Sequence, residues 1–182
     1  MSGTEGTSPY RIPAALRDLV MLDLLEITGS TTATAELLAM SQPSISRRYR
    51  SLARDLGLER QSAAPVGRRF ADAPWISDLR RGINRQRLSS GVMRVGSASK
   101  LEAEFAGVPW AQWVRLGRQQ QLEWHLLLAL ELLDAIAFTD VPPLSDEQTT
   151  SLTLIEFQSE RAMTLICRSD PHVLQICNQL NN

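Results

Sequence analysis

A chain of 182 residues is long enough for two small domains, and its hydrophobic share of 43% is typical of a folded protein rather than a disordered one. The longest apolar run, residues 126–130, is far too short to cross a bilayer, so no membrane-spanning helix is expected. The net charge of −1 hides a basic middle, because residues 41–94 carry +8 while residues 1–40 carry −3 and residues 95–182 carry −6. Eighteen of the nineteen basic residues are arginine, which gives this middle part the charge and the side-chain type that bind nucleic acid.

The first part of the chain contains three predicted helices in close succession. Residues 1–13 are rich in Gly, Ser, Thr and Pro and are expected to form a flexible arm. Apolar residues at helical spacing predict a helix over residues 14–28, which Gly29 ends. Residues 30–32 offer N-cap oxygens for a short helix over about residues 33–39, and residues 40–42 form a tight turn.

The third predicted helix, residues 42–56, carries arginine along one face. Ser41 is its N-cap candidate, Pro43 suits its first turn and Gly57 ends it. Its apolar stripe consists of Ile45, Tyr49, Leu52 and Leu56. The opposite side consists of Ser44, Arg47, Ser51 and Arg54, flanked by Arg48 and Arg50.

Such a face suits the major groove of DNA, where arginine bonds guanine edges or phosphates and Gln42 could bind adenine. The alternative for a helix considered alone is an ordinary solvated basic face. Two helices joined by about three residues, with a third helix before them, are typical of a helix-turn-helix, which favours the DNA-binding interpretation.

The basic region continues beyond Gly57. Pro65, Gly67 and the pair Arg68-Arg69 predict a hairpin-like extension over residues 58–72, a candidate wing that lies on phosphates. A further helix is predicted over residues 73–88, with Trp75, Ile76, Leu79 and Ile83 on one side and Arg80, Arg81, Arg85 and Arg87 on the other. Residues 89–91 form a short linker, at which we place a domain boundary.

Beyond this boundary strands alternate with helices, which predicts an α/β sheet. Strands are predicted over residues 92–96, 113–116, 134–138, 153–157 and 162–167. Helices are predicted over residues 100–105, 119–133 and 171–180. The helix over residues 119–133 is apolar nearly all round and should be buried, and residues 134–138 should form a buried parallel strand.

These features resemble the LysR-type transcriptional regulators. The N-terminal signature of that family matches without a gap at Gly29-Ser30, Thr32, Ala35, Leu38, Ser41-Gln42-Pro43, Ser46, Leu52 and Leu56-Gly57. Residues 93–96 are similar to the first strand of the family's effector domain, and residues 132–137 to its second helix-to-strand passage. Residues 162–167, followed by 170–172, are similar to the segment that ends its first subdomain. The resemblance covers about residues 14–180.

The resemblance implies a fold of the α + α/β class. Residues 14–72 would be a winged helix-turn-helix DNA-binding domain, and residues 73–91 a linker helix and hinge. Residues 92–182 would be a partial effector-binding α/β subdomain of the periplasmic-binding-protein type, and we expect a chain truncated after this first subdomain. Thr34, Ala53 and the pair Arg60-Gln61 depart from the family's pattern, the last at the entry to the wing.

By the same resemblance, the chain would be a non-enzymatic, cytoplasmic regulator that binds double-stranded DNA in a sequence-specific manner as a homodimer. The linker helix would pair with a second copy through Trp75, Ile76, Leu79 and Ile83. A small organic effector would contact Ser97 and Ser99, although one wall of the family's effector cleft is absent from this chain. The alternative is a short modulator that pairs with a full-length regulator through the linker helix.

The expected DNA contacts fall into two groups. Base edges are assigned to Gln42, Ser44, Arg47 and Arg48. Phosphates are assigned to Ser30, Thr31, Thr32, Arg50, Arg54, Arg68 and Arg69, and Ser41 and Pro43 complete the interface.

No catalytic, cofactor or metal site is expected. His125 and His172 have no Cys, His or acidic residue at metal-ligand spacing. Cys167 and Cys177 are expected to be free, reduced thiols, as in a cytoplasmic protein, and a redox pair is the alternative.

Overall fold

A computed structural model describes residues 11–12, 14–158 and 160–180. Apart from Arg11 and Ile12, the predicted arm lies outside the described residues. The α-helices of the described part are α1 (Arg17–Thr28), α2 (Thr31–Leu37), α3 (Gln42–Leu56), α4 (Pro74–Ser89), α5 (Glu102–Phe105), α6 (Arg118–Leu122), α7 (Trp124–Ala129), α8 (Asp146–Ser151) and α9 (Pro171–Leu180). Short 3-10 helices precede α1 at Ala14–Leu16 and α5 at Ser99–Leu101. None of these described helices is long and apolar enough to span a membrane.

The first three helices begin and end at residues that the sequence specifies. α1 ends at Thr28 because Gly29 adopts a φ of 65°, which a residue without a Cβ adopts readily. α2 begins at Thr31, earlier than predicted, because the hydroxyl of Ser30 accepts the Ala33 N–H at 3.3 Å. α3 spans the predicted residues 42–56, and α4 matches the predicted helix to within one residue at each end.

The later part of the chain forms a five-stranded mixed sheet. Its strands are β1 (Met93–Ser97), β2 (Ala111–Arg115), β3 (Ala135–Phe138), β4 (Leu152–Gln158) and β5 (Ala162–Arg168), in the order β2-β1-β3-β5-β4. β1 pairs in parallel with β2 and β3, whereas β5 pairs antiparallel with β3 and β4. The predicted α/β sheet is therefore confirmed, but β3 is parallel to only one of its two neighbours.

One predicted helix of this part differs in the structure, and one helix was missed. The long helix over residues 119–133 is divided into α6 and α7, and the chain turns after α7 where Glu131 adopts a φ of 55°. α8 was not predicted. It begins with a capping box in which the hydroxyl of Ser145 accepts the Gln148 N–H and the side chain of Gln148 accepts the Ser145 N–H.

Helix α1 takes part in two hydrophobic cores. Met21, Leu22 and Leu25 pack with α2 and α3. Val20, Leu24 and Ile27 belong to a second core. Residues of α7 and of the sheet half complete this core: Val114, Leu116, Trp124, Leu127, Leu128, Ile136 and Ile166. A third core on the opposite face of the sheet contains Met93, Val95, Leu165 and the residues of α9. α1 is therefore buried on two sides and joins the three-helix part to the sheet.

Candidate nucleic-acid interface

α3 buries its predicted apolar stripe and is capped at both ends. Ile45 and Tyr49 are buried against α1, while Leu52 and Leu56 are partly buried in the same core. The hydroxyl of Ser41 accepts the Ser44 N–H at 3.3 Å, and Gly57 ends the helix with a φ of 64°. The position of the helix is thus fixed by its apolar side, which leaves the opposite side to solvent.

The solvent-facing side of α3 is basic. Its exposed members include Gln42, Arg47, Arg48, Arg50 and Arg54. A terminal nitrogen of Arg47 lies 3.4 Å from the Ser44 hydroxyl, and Nε of Arg50 donates to the Ser46 carbonyl at 3.2 Å. These bonds are made within the helix, so both guanidinium groups remain at the surface.

The starts of α2 and α3 lie side by side. The side-chain amide of Gln42 donates to the Thr31 hydroxyl and to the Ser46 hydroxyl, both at 2.9 Å. Thr32 is exposed next to this contact, and Ser30 is partly buried as the cap of α2. The structure therefore brings the predicted contacts at residues 30–32 together with those at the start of α3.

Arg48 differs from its neighbours on α3. Its guanidinium forms a 3.1 Å ion pair with Asp18 of α1, and both side chains are about half exposed. A contact between Arg48 and a base edge would first require this pair to open. Since exposed ion pairs contribute little to stability, opening this pair costs little free energy.

The predicted hairpin-like wing is not formed by strands. In the described chain, the segment between α3 and α4 has no strand, and one backbone bond, from Gln61 N–H to the Arg69 carbonyl at 2.8 Å, closes it. The carboxylate of Glu26 in α1 instead accepts the N–H groups of Arg69, Phe70 and Ala71 at 2.7, 2.7 and 2.6 Å. These donors are consequently unavailable for a second strand.

The carboxylate of Glu26 is buried at this junction. Burial raises the pKa of Glu26 above its ordinary value, and the three N–H donors and Arg80 offset this effect only in part.

The tip of this segment packs against the sheet half of the chain. Val66 is fully buried, and its N–H donates to the carboxylate of Glu123 at 3.1 Å. A Cβ added to Gly67 would lie only 2.6 Å from Leu130. Arg68 is exposed, whereas Arg69 is partly buried and its Nε donates to the Ala64 carbonyl at 2.9 Å. Of the two predicted phosphate contacts, Arg68 is therefore the more accessible.

α4 buries a different stripe from the one expected. Ile76 and Ile83, predicted as contacts with a second copy, are buried within this chain at 3% and 4% exposure. Trp75 and Leu79 are 41% and 42% exposed. Arg80 and Arg87, predicted to lie on the opposite side of the helix, are buried beside the two isoleucines because each of them is paired with a buried carboxylate.

The interpretation of the sequence missed a buried charge network that joins these arginines to Asp23 and Asp134. Nε of Arg80 donates to Asp23 of α1 at 2.8 Å, and the second oxygen of Asp23 lies 3.5 Å from Arg94 of β1. Burial, followed by the like charge of Arg87, lowers the pKa of Arg94 to about 10, so Arg94 stays protonated at neutral pH. The network thus connects α1, α4 and the sheet.

Asp134, just before β3, is the centre of the second half of the network. Its carboxylate is bonded to the guanidinium of Arg87, to the Arg94 N–H at 2.7 Å, and to Arg168 at 2.9 and 3.1 Å. Burial alone would raise the pKa of Asp134, but the charges of Arg87 and Arg168 outweigh it and hold the pKa below its ordinary value. A usable signal was present, since Asp23 and Asp134 are single acids inside apolar runs.

The two serines predicted to contact an effector have different environments. Ser97 is buried, and its hydroxyl accepts the indole N–H of Trp113 at 2.7 Å and donates to the Ala98 carbonyl at 3.1 Å. It lines a cavity of about 130 Å³ at the carboxyl ends of β1 and β3, together with Ile136 and Thr139. Ser99 is exposed and lies outside this lining.

No protein-family model matches this chain, and no curated protein sequence matches it significantly. Solved structures do match. Full-length OxyR C199D from Pseudomonas aeruginosa is 14% identical, with a TM-score of 0.38 over 78% of this chain and 54% of that one. CrgA from Neisseria meningitidis, a LysR-type transcriptional regulator, is 17% identical, with a TM-score of 0.31 over 81% of this chain and 54% of that one.

Full-length CbnR in complex with its target DNA is 19% identical, with a TM-score of 0.31 over 79% of this chain and 54% of that one. The chain therefore spans about half the length of these proteins. Among the solved structures that match, CrgA, HinK and CbnR are transcriptional regulators of the LysR family, the family that this sequence resembles.

Proposed function

We propose that this chain is a sequence-specific DNA-binding transcriptional regulator of the LysR type. The observation that carries the proposal is the exposed basic face of α3, whose opposite side is fixed in a core by Ile45 and Tyr49. In this proposal residues 14–72 form the DNA-binding unit, residues 73–91 the linker, and residues 92–182 an α/β unit of the effector-binding type.

In the proposed complex, α3 enters the major groove. Gln42, Ser44 and Arg47 lie towards the start of the helix and are the candidates for base edges, as in other helix-turn-helix proteins. Arg48 can join them once its ion pair with Asp18 opens. The remaining contacts, from Arg50, Arg54, Arg68 and the start of α2, are to phosphates and set register and affinity.

The proposed regulator acts as a homodimer. α4 presents Trp75 and Leu79 to solvent one helical turn apart, next to Gly82, which would allow a second helix to approach closely. Ile76 and Ile83 have no part in this contact because they are buried within the chain. A two-fold pair of α4 helices would carry two copies of α3 to half-sites about one turn of DNA apart.

The test is a DNA-binding titration with matched arginine variants. A cognate duplex is first selected from a random library with the wild-type chain. Fluorescence anisotropy at fixed salt then compares the wild type with Arg47→Ala and with Arg118→Ala, which removes another exposed charge, from the sheet half. We expect Arg47→Ala to weaken binding about 5- to 150-fold, the effect of losing one base contact.

The control should stay within about twofold of the wild type, since a distant surface charge adds little at moderate salt. The titration is then repeated at several salt concentrations, and the logarithm of the binding constant is plotted against the logarithm of the salt concentration. The slope of this plot should be smaller in magnitude by about one for Arg54→Ala, because one phosphate contact is lost. Equal affinity of Arg47→Ala and the wild type for the selected duplex would exclude α3 as the element that contacts bases.

A further inference from the structure

The two cysteines of the chain are adjacent. Cys167 lies on β5 and Cys177 on α9, and their sulfur atoms are 3.6 Å apart. Both residues are fully buried and belong to the same hydrophobic core. The Sγ atom of Cys177 also lies 3.8 Å from the sulfur of Met93. The pair is therefore a dithiol whose sulfur atoms are in direct contact.

The turn between β5 and α9 produces this contact. One oxygen of Asp170 accepts the N–H groups of His172 and Val173, at 2.9 and 3.3 Å, and so fixes the first turn of α9. Val173 and Cys177 lie one turn apart and are both fully buried against the sheet. The same turn that directs α9 onto β5 thus sets Cys177 opposite Cys167.

We propose that Cys167 and Cys177 are a site of reversible oxidation, at which a low-molecular-weight disulfide converts the dithiol into an intrachain disulfide. The thiolate of Cys177 attacks one sulfur of the small disulfide, the S–S bond of that molecule breaks, and one small thiol leaves. The thiolate of Cys167 then attacks Cys177 in the resulting mixed disulfide, and the second small thiol leaves. The protein loses two protons and two electrons, and the small disulfide gains them in becoming two small thiols.

The order of attack follows from the contact between the two thiols. Donation by the Cys167 thiol lowers the pKa of Cys177, although burial acts in the opposite direction. The same hydrogen bond, together with burial, raises the pKa of Cys167. Cys177 is therefore the first thiolate, and Cys167 resolves the mixed disulfide.

A small displacement of α9 is enough for the reaction. A disulfide bond is about 2.05 Å long, so the two sulfur atoms must approach by about 1.5 Å. α9 has ten residues and packs on the sheet through one face, with Val173, Ile176 and Cys177. A helix of this length has little stability of its own, so local opening gives a small disulfide access to Cys177.

The test equilibrates the full chain with defined mixtures of oxidised and reduced glutathione. The reaction is quenched with acid, free thiols are alkylated in denaturant, and the intact mass is measured. The oxidised wild type should have lost two hydrogen atoms and should take up no alkyl groups. In a thermal scan without reductant, its midpoint should rise by about 5–10 °C, the effect of closing a short loop in a chain of this size.

The two single variants identify the attacking thiol. Cys167→Ser should accumulate one glutathione adduct, because Cys177 still reacts and the resolving thiol is gone. Cys177→Ser should accumulate much less adduct at Cys167. The wild-type mass measurement needs neither variant, so it holds even if a substitution impairs folding. The proposal would be overturned if the native chain kept two alkylatable thiols under strongly oxidising glutathione and became oxidised only after unfolding in urea.

Discussion

At the scale of single residues, the stability of this chain depends on a few carboxylates that are buried among arginines. Asp134 has no exposed surface, and an isolated charge there would be strongly unfavourable. Arg87 and Arg168 balance its charge, and the backbone of Arg94 gives a further hydrogen bond. Removing one partner of such a group costs much more than removing an exposed ion pair.

We therefore expect Asp134→Asn to lower the free energy of unfolding by about 3–5 kcal/mol, because Arg87 would stay buried without its counter-charge. Urea titration followed by circular dichroism measures the change. Asp140→Asn, which alters an exposed carboxylate, should change the same quantity by less than about 0.5 kcal/mol.

The free energy of unfolding should also depend on pH differently in the wild type and in Asp134→Asn. Since the folded-state pKa of Asp134 lies below its ordinary value, its stabilisation is present above about pH 4 and is lost as the pH falls through the folded-state pKa. Asp134→Asn should lack this component of acid destabilisation. An identical acid profile for the variant and the wild type would contradict the assigned role.

Glu26 illustrates why the wing could not be predicted from residue patterns. Pro65 and Gly67 correctly indicated a turn, but the sequence does not show that a carboxylate of α1, more than forty residues earlier, takes the N–H groups of Arg69, Phe70 and Ala71. Sequence periodicity indicates which side chains share a face. It does not indicate which distant acceptor satisfies a backbone donor.

At the scale of elements, α4 also shows what cannot be predicted from sequence periodicity. Its bounds were predicted well because Pro74 begins it and the helical spacing is regular. Its buried side was predicted only in part, because the predicted apolar side combined Ile76 and Ile83, which are buried, with Trp75 and Leu79, which are exposed. The buried stripe instead alternates isoleucine with arginine at Ile76, Arg80, Ile83 and Arg87, and its arginines become acceptable only through Asp23 and Asp134. By contrast, the bounds and the buried side of α3 were predicted correctly, because its own caps and its own apolar stripe determine them.

The exposed side of α4 leads to a prediction about assembly. Leu79→Glu should convert the proposed dimer into a monomer, because a charge would then be buried at the centre of the contact. Sedimentation equilibrium at micromolar concentration distinguishes the two states. Leu122→Glu is the matched control, as Leu122 is 71% exposed on α6 and should leave assembly unchanged. A wild-type chain that sediments as a monomer would refute the dimer through α4.

At the scale of the whole molecule, α1 is the element on which both halves depend. Its two buried sides complete one core with α2 and α3 and another with the sheet. The three-helix part alone would therefore expose Val20, Leu24 and Ile27. At about 1.5–3 kcal/mol for each side chain, this loss is comparable with the entire stability of a small domain.

We expect a fragment of residues 11–91 to unfold at a much lower temperature than the full chain, or to lack a cooperative transition, in a thermal scan by circular dichroism. The same fragment with Val20, Leu24 and Ile27 replaced by serine should aggregate less, because the exposed apolar surface is smaller. A fragment whose transition coincides with that of the full chain would show that the second core contributes nothing to the three-helix part.

The buried arginines of α4 also determine how many packing registers this helix can adopt. A purely apolar stripe can slide or rotate by one position at moderate loss, because one aliphatic contact replaces another. Arg80 and Arg87 allow no such shift, since a displaced guanidinium would be buried away from Asp23 or Asp134. α4 consequently has a single register against α1 and the start of β3. In the proposed dimer, that register sets the direction in which Trp75 and Leu79 point, and with it the distance between the two α3 helices and the spacing of the half-sites that they can occupy.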